Sequence, residues 1–175
     1  MTFHIGDHLD SDAVVFGCGN PLFGDDGFGP AVIEYLCEHY AVPSYAACLD
    51  AGTAVRDFLF DILLSPQKPR QIIIVDAMDA PGAVPGDIRE ISIDAMQSNK
   101  TCDFSLHQFP TTNMLKEIQE HTDVRVRVLV VTPTELPQEV SPGLSPPVRH
   151  AISPMCDRII KVLNEFPSSK IGDTP

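Results

Sequence analysis

The chain has 175 residues and a mass of 19.1 kDa, with 43% apolar and 21% charged residues, and one domain with its own hydrophobic core is expected at this length. Its 12 Lys and Arg residues against 24 Asp and Glu residues give a formal charge of −12, and so acidic a surface repels phosphate backbones and anionic lipid. The composition therefore excludes nucleic acid and membrane headgroups as partners, and it favours a cationic peptide or a metal ion.

The first third of the chain alternates short β-branched runs with helical periods. Residues 13–16 (AVVF) predict a buried strand that ends in a glycine-rich loop, and apolar residues at helical spacing predict an amphipathic helix over 28–39. Residues 45–49 predict a second strand that ends at Asp50. Thr53 is the expected N-cap of a second helix. The apolar face of that helix comprises Phe58, Leu59, Ile62 and Leu63.

The clearest strand is the apolar run over residues 71–75 (QIIIV), which is typical of a strand buried on both faces of a parallel sheet. After a turn at 80–86, apolar and charged residues alternate over 88–93, which predicts a half-exposed strand near a sheet edge. A short helix opened by Pro110 is expected next. Its apolar positions are Met114, Leu115 and Ile118.

The last third begins with a predicted strand over 124–131 that carries Arg125 and Arg127 on one face. A proline-rich loop follows and ends at Ser145, the expected N-cap of the last helix. The apolar face of that helix comprises Val148, Ile152, Met155, Ile159 and Leu163. This strand–helix alternation predicts an α/β fold, a three-layer α/β/α sandwich around a mostly parallel sheet.

The cysteines, the N-terminus and the lack of repeats bear on location and domain count. Five scattered cysteines without a C-x-x-C pair indicate reduced thiols rather than a disulfide framework or a zinc ribbon. They are Cys18, Cys37, Cys48, Cys102 and Cys156. The N-terminal MTFHIGDHLDSD has no signal-peptide pattern, and the apolar runs are too short to span a bilayer. With neither a repeat nor a linker, we expect one cytoplasmic domain over 1–175, with a core at about 13–165 and flexible tails.

Acidic residues follow the predicted strands at the points where they end. Asp25 and Asp26 lie in the loop after the first strand, Asp50 follows the second, and Asp76 directly follows the third. Ligands of open α/β sheets bind beyond the carboxyl ends of the strands, so these carboxylates are expected to gather at one edge. Because clustered anions repel one another, a metal ion or a cationic substrate group is expected among them.

Each of these acids also has a purely structural interpretation. Asp25 or Asp26 would cap the helix that begins near Gly27 and complement its dipole. Asp50 would serve as a turn residue. Asp76 is the strongest functional candidate, because so apolar a strand delivers its last residue to the edge of the sheet.

His107 and the glycine-rich loop complete the candidate site. His107 lies in an apolar stretch, DFSLHQFPT, and a neutral imidazole with two carboxylates suits zinc, nickel or iron and leaves coordination positions open. The alternative is a loop histidine bonded to the backbone. Gly17 and Gly19 are not part of a dinucleotide fingerprint, since Leu22 stands where the third glycine belongs and the following aspartates would repel a pyrophosphate. We expect these glycines to permit a tight turn instead.

Five segments of the chain form a specific combination. They are GCGNPLFGDDGFGPAVIEYL (17–36), LDAGT (49–53), IIIVDAMDAPGAVPG (72–86), SLHQ (105–108) and PGLSPPV (142–148). In this order they resemble the hydrogenase maturation proteases, the endopeptidases that remove a C-terminal extension from the large subunit of nickel–iron hydrogenases. The likeness covers nearly the whole chain, and it is greatest to archaeal members that process coenzyme F420-reducing hydrogenase.

The resemblance implies a twisted five-stranded mixed sheet with helices on both faces, of the phosphorylase/hydrolase-like type. It also implies a metal site formed by Asp26, Asp76 and His107. The family often has Glu at the first of these positions, so the shorter Asp26 would bind the ion less closely or require a shift of its loop. Asp50 corresponds to a further acidic position beside the cleft.

The activity that the resemblance implies is that of an aspartyl-type endopeptidase acting on the large-subunit precursor after nickel insertion. The nickel is expected to arrive with the substrate, and zinc or cadmium to replace it in vitro. Asp26, Asp76 and His107 would hold the ion while it polarises the scissile carbonyl or a bound water. Asp50 would accept a proton from the water or hold the substrate strand. The acidic edge also suits two alternatives: a non-catalytic nickel-sensing chaperone, and a metal-dependent hydrolase of small molecules.

Overall fold

The computed structural model describes residues 11–79, 82–94 and 108–165. The strands in these ranges are β1 (Ala13–Cys18), β2 (Ala46–Gly52), β3 (Gln71–Ala77), β4 (Ile88–Ile91) and β5 (Arg125–Val131). The helices are α1 (Phe28–His39), α2 (Val55–Leu64), α3 (Gln108–His121), α4 (Pro146–His150) and α5 (Ile152–Asn164), and a 3-10 helix spans Gly24–Gly27. No helix within the described ranges is long and apolar enough to cross a membrane.

The strands form one five-stranded sheet in the order β2-β1-β3-β5-β4. β1 is parallel to β2 and to β3, and β3 is parallel to β5, whereas β4 is antiparallel to β5 at the edge. The predicted mostly parallel sheet is thus confirmed. Because four strands share a direction, their carboxyl ends meet at one edge of the sheet, and the loops that follow them form the surface there.

Helices cover both faces of the sheet and give it three layers. In β1, Ala13 and Val15 pack in the cluster that includes α1 and α5, while Val14 and Phe16 pack in the cluster that includes α2 and α3. Successive side chains of a strand point to opposite faces, so a strand covered on both sides must be apolar throughout. The uninterrupted apolar run that predicted β3 has the same cause.

The antiparallel edge strand is held by an ion-pair network. Arg127 of β5 donates from Nε to Oε1 of Glu90 at 2.7 Å and from Nη2 to Oε2 at 2.6 Å, and Arg158 of α5 donates to the same carboxylate at 3.1 Å. The hydrogen bond from Arg127 holds the pKa of Glu90 below its ordinary value. The prediction of a half-exposed strand near a sheet edge is confirmed, although β4 ends at Ile91 and not at residue 93.

The expected N-cap of the second helix is wrong. β2 continues to Gly52, which pairs with Cys18 of β1. The chain turns at Gly52, where φ is +50°, and Ala54 occupies the N-cap position of α2 without a side-chain hydrogen bond. Thr53 therefore lies in the turn, because pairing with β1 extends the strand beyond the apolar run that is visible in the sequence.

The last helix is divided in two at Ala151, where the N–H bonds to the carbonyl of Val148 in a 3-10-type turn. A continuous helix would require an N–H at Pro154 to reach the carbonyl of His150, and proline has none. Ser145 does occupy the N-cap position of α4, but its hydroxyl makes no cap hydrogen bond. Helix α3 likewise begins at Gln108, before the predicted Pro110.

Candidate active site

Asp26 is held by the glycine-rich loop that follows β1. The Asn20 N–H donates to Oδ2 of Asp26 at 2.7 Å. Gly19 has φ +120°, and a Cβ built there would lie 1.8 Å from the backbone oxygen of Asp26. The absence of a side chain at Gly19 therefore lets the loop close against Asp26, as expected of a glycine that permits a tight turn.

Asp76 is the penultimate residue of β3 and is partly buried. Its Oδ1 accepts a hydrogen bond from the Ala77 N–H at 2.8 Å. The pKa of Asp76 is raised from its ordinary value of 3.8 to about 7, first by burial and second by the negative charge of Asp26, against the lowering effect of the Ala77 N–H. The two carboxylates are thus close enough for the charge of one to disfavour ionisation of the other.

Asp50 lies near the end of β2 and is exposed. Its Oδ1 accepts a hydrogen bond from the Gly52 N–H at 3.0 Å, and the Gly52 carbonyl in turn accepts one from the Gly19 N–H at 3.0 Å. Asp50 is therefore the turn residue that its structural interpretation predicted. The same contacts bring it to the loop that holds Asp26, so the turn and a position at the site are compatible.

Cys18 lies within electrostatic reach of all three acids. Its thiol is buried at the end of β1, and its pKa is raised well above the ordinary value, first by burial and then by the negative charges of Asp76, Asp50 and Asp26. A thiol kept protonated in this way is a poor nucleophile, which argues against cysteine-protease chemistry. Sequence reasoning missed this position, because the strand order decides it: Cys18 is the last residue of the strand that lies between the two carrying Asp50 and Asp76.

The predicted ligand set is represented by two of its three members. Asp26 and Asp76 lie together, while His107 falls outside the described residues, so the triad stays a prediction. Within the described ranges no group of three His, Cys, Asp or Glu residues forms an arrangement that could hold a metal ion. The two carboxylates nevertheless fit a cation. A positive charge between them would offset their mutual repulsion and the free-energy cost of burying the ionised Asp76.

Asp25 has a structural role that neither sequence interpretation anticipated. It is 2% exposed and accepts hydrogen bonds from the Thr134 N–H at 2.8 Å, the Ser145 N–H at 2.7 Å and the Ser145 hydroxyl at 2.8 Å. Asp25 therefore does not cap α1, whose N-cap Gly27 has no side-chain hydrogen bond. These bonds tie the 3-10 helix to both ends of the proline-rich loop, defined here as residues 132–145.

The proline-rich loop runs alongside the segment that leads to Asp26. The Ser141 N–H donates to the carbonyl of Leu22 at 2.8 Å, and the Gly24 N–H donates to the carbonyl of Ser141 at 2.9 Å, which forms a parallel bridge between Phe23 and Ser141. The segment that leads to Asp26 is thus half of a short two-stranded ribbon, and the buried carboxylate of Asp25 ties the two halves together.

Comparison with known sequences finds similarity over most of the chain. Residues 30–162 match a family model described as hydrogenase maturation protease. The coenzyme F420 hydrogenase subunit delta of Methanothermobacter thermautotrophicus is 36% identical over 147 residues, which is 82% of this chain and 89% of that protein. The hydrogenase 2 maturation protease of Escherichia coli is 28% identical over 157 residues, which is 87% of this chain and 90% of that protein.

Comparison with solved structures finds the same fold. The hydrogenase maturating endopeptidase HybD from Escherichia coli superposes with a TM-score of 0.72 at 26% identity, covering 87% of this chain and 92% of that one. The solution structure of an endopeptidase from Escherichia coli gives a TM-score of 0.70 at 27% identity, with the same coverage of 87% and 92%. These similarities agree with the mostly parallel sheet and its helical layers.

Proposed function

The chain belongs to the hydrogenase maturation protease family, and on that premise we propose that it removes the C-terminal extension of a nickel–iron hydrogenase large-subunit precursor. Its activity is that of an endopeptidase in hydrogenase maturation. The observation that carries the proposal is the position of Asp26, Asp50 and Asp76 at the carboxyl ends of β1, β2 and β3, where the charge of each acts on the buried Cys18 thiol. This is the edge where α/β sheets bind their ligands.

The nickel ion of the precursor is the proposed recognition signal. Asp26 and Asp76, together with His107 as predicted, would hold the ion, which enters as part of the substrate. Two carboxylates that repel each other are an incomplete site, and a divalent cation presented by the precursor completes it. Recognition in this form makes trimming conditional on nickel insertion, because a precursor without the ion leaves the repulsion between Asp26 and Asp76 in place.

The proposed chemistry is carboxylate-based hydrolysis of the scissile peptide bond. A divalent ion at such a site polarises a carbonyl oxygen or a bound water. The carboxylates of Asp76 and Asp26 are themselves held in place by hydrogen bonds from the Ala77 and Asn20 N–H groups. They would therefore hold the ion at a defined position. Asp50 is exposed, and only its Oδ1 takes part in the turn bond from the Gly52 N–H. We therefore assign Asp50 to accept the proton of the attacking water or to hold the substrate strand.

The hydrogenase we propose as substrate is of the coenzyme F420-reducing type. Support comes from the 36% identity to a protein named as subunit delta of coenzyme F420 hydrogenase, which covers 82% of this chain. A direct comparison tests it: the purified chain is given the nickel-loaded large-subunit precursor of an F420-reducing hydrogenase and, separately, that of another nickel–iron hydrogenase. Faster trimming of the first supports the assignment, and equal or slower trimming contradicts it.

The reaction itself is tested by mass spectrometry of a nickel-loaded precursor before and after incubation with the chain. Loss of a C-terminal peptide is the expected result, and the nickel-free precursor should stay intact. An unchanged mass with tight nickel binding by the free chain would favour the alternative of a nickel-sensing chaperone. An unchanged mass together with hydrolysis of small esters or amides would favour a small-molecule hydrolase.

A further inference from the structure

Exposed apolar side chains concentrate at the edge of the sheet that carries the carboxylates. Within the described ranges, the exposed large apolar residues and their exposed fractions are Leu22 at 50%, Phe60 at 53%, Leu64 at 69%, Val84 at 63% and Val140 at 66%. Phe60 and Leu64 lie on α2. The other three lie on loops that follow the carboxyl ends of β1, β3 and β5.

Leu22 and Val140 are exposed apolar residues on the two neighbouring segments of the ribbon. The parallel bridge pairs Phe23 with Ser141, and Leu22 and Val140 directly precede these two residues. The Ser141 N–H donates to the carbonyl of Leu22, so the backbone of Leu22 lies beside the Val140–Ser141 segment. The surface formed by Leu22 and Val140 is called here the ribbon patch.

The ribbon patch is held by hydrogen bonds from two sides and is linked to the site. Below it, Asp25 fixes both ends of the proline-rich loop through its bonds to Thr134 and Ser145. Beside it, the side-chain oxygen of Asn20 accepts a hydrogen bond from the Leu22 N–H at 3.0 Å, while the Asn20 N–H donates to the carboxylate of Asp26. Asn20 thus links the patch to Asp26 through two hydrogen bonds, and a partner that binds the patch loses little ordering entropy on the protein side.

The occupant follows from the reaction. An endopeptidase holds its substrate on both sides of the scissile bond, and an extended chain advances only about 3.3–3.6 Å per residue. Asn20 is bonded both to Asp26 and to the Leu22 N–H, so a precursor segment with its scissile bond at Asp26 that runs along this side reaches the ribbon patch within a few residues. The patch offers apolar contact, and the exposed Glu135 and Glu139 on the same loop disfavour an acidic segment.

We propose that Leu22 and Val140 bind apolar side chains of the hydrogenase large-subunit precursor in the segment next to the scissile bond. This inference rests on the proposed function, since it assigns a substrate-binding role to residues beside the proposed catalytic carboxylates. It adds that cleavage depends on two apolar side chains that contact neither the ion nor the reacting bond.

The test is a steady-state comparison of two double variants on the nickel-loaded precursor. Leu22→Ser with Val140→Ser removes the patch, and Phe60→Ser with Leu64→Ser removes apolar surface of matched exposure from α2. We expect the patch variant to raise KM at least about tenfold with kcat within about twofold, while the α2 variant keeps both values. Thermal unfolding of both variants should match that of the wild type, because all four side chains are exposed.

Three outcomes separate this inference from the proposed function. An unchanged KM in the patch variant overturns the inference, and so does an equal rise in the α2 variant. If the wild-type chain does not shorten the precursor at all, the proposed function fails before either variant is compared. Should the patch variant unfold, photo-cross-linking decides instead: Leu22→p-benzoylphenylalanine should cross-link to precursor residues beside the cleavage site, and Leu64→p-benzoylphenylalanine should not.

Discussion

Replacing Asp76 with Asn should stabilise the metal-free protein while removing its processing activity. Asn has the shape of the aspartate side chain and keeps an oxygen that accepts the bond from the Ala77 N–H. It differs by lacking the negative charge that burial and Asp26 disfavour. The substitution therefore tests whether the charge of Asp76 serves function at the expense of stability.

The magnitude follows from the pKa of Asp76. A carboxyl group whose pKa is 3.8 in the unfolded chain and about 7 in the folded one lowers stability as pH rises from about 4 to about 7, because the unfolded state releases the proton first. At about 1.4 kcal/mol for each tenfold difference in proton affinity, the full effect is about 4 kcal/mol above pH 7. Below pH 4 the group is protonated in both states, and the effect disappears.

Urea unfolding with chelator present, at pH 4.5 and at pH 8, measures this difference. We expect Asp76→Asn to exceed the wild type in free energy of unfolding by about 2–4 kcal/mol at pH 8 and by about 1 kcal/mol or less at pH 4.5. Asp50→Asn is the matched control, because Asp50 is exposed and its bond to the Gly52 N–H survives the change. Its stability should stay within about 0.5 kcal/mol of the wild type at both pH values.

Equal stability of Asp76→Asn and wild type at pH 8 would refute the burial and charge repulsion assigned to Asp76. A gain in stability with trimming of the precursor at the normal rate would leave that electrostatic account intact. It would remove Asp76 from the proposed site.

Three further predictions concern Asp26, Asp25 and Glu90. Asp26→Asn should lower the pKa of Asp76 below about 7, because one of the two causes that raise it is removed. NMR titration of the Asp76 carboxyl carbon measures this, and an unchanged pKa would mean that the two acids do not interact. Asp25→Ala should reduce the free energy of unfolding by about 2–4 kcal/mol in urea, since the N–H groups of Thr134 and Ser145 lose a buried, charged acceptor, and a loss under 0.5 kcal/mol would contradict this. Glu90→Gln should lower the free energy of unfolding by about 1 kcal/mol at pH 7. Because Arg127 lowers the pKa of Glu90, this advantage of the wild type should vanish as pH falls below about 4. A pH-independent difference would contradict the charge-based explanation.

The sequence by itself determined the layers of the fold and the general position of the site. Periodicity of 2 or 3.6 residues is a local property, so the apolar run over residues 71–75 and the amphipathic pattern over 28–39 identified β3 and α1 before any contact was known. Asp50 and Asp76 could be assigned to one edge of the sheet because the carboxyl ends of parallel strands share a side.

Only the tertiary structure decided which neighbouring residue does what. Asp25 and Asp26 are indistinguishable in the sequence, yet Asp25 is buried against Thr134 and Ser145, which are more than 100 residues away along the chain, while Asp26 turns toward the acid at the end of β3. The raised pKa of Cys18 likewise depends on charges from three separate segments. Such partners are chosen by packing between distant segments, and burial then sets the electrostatic environment, so no local pattern encodes either one.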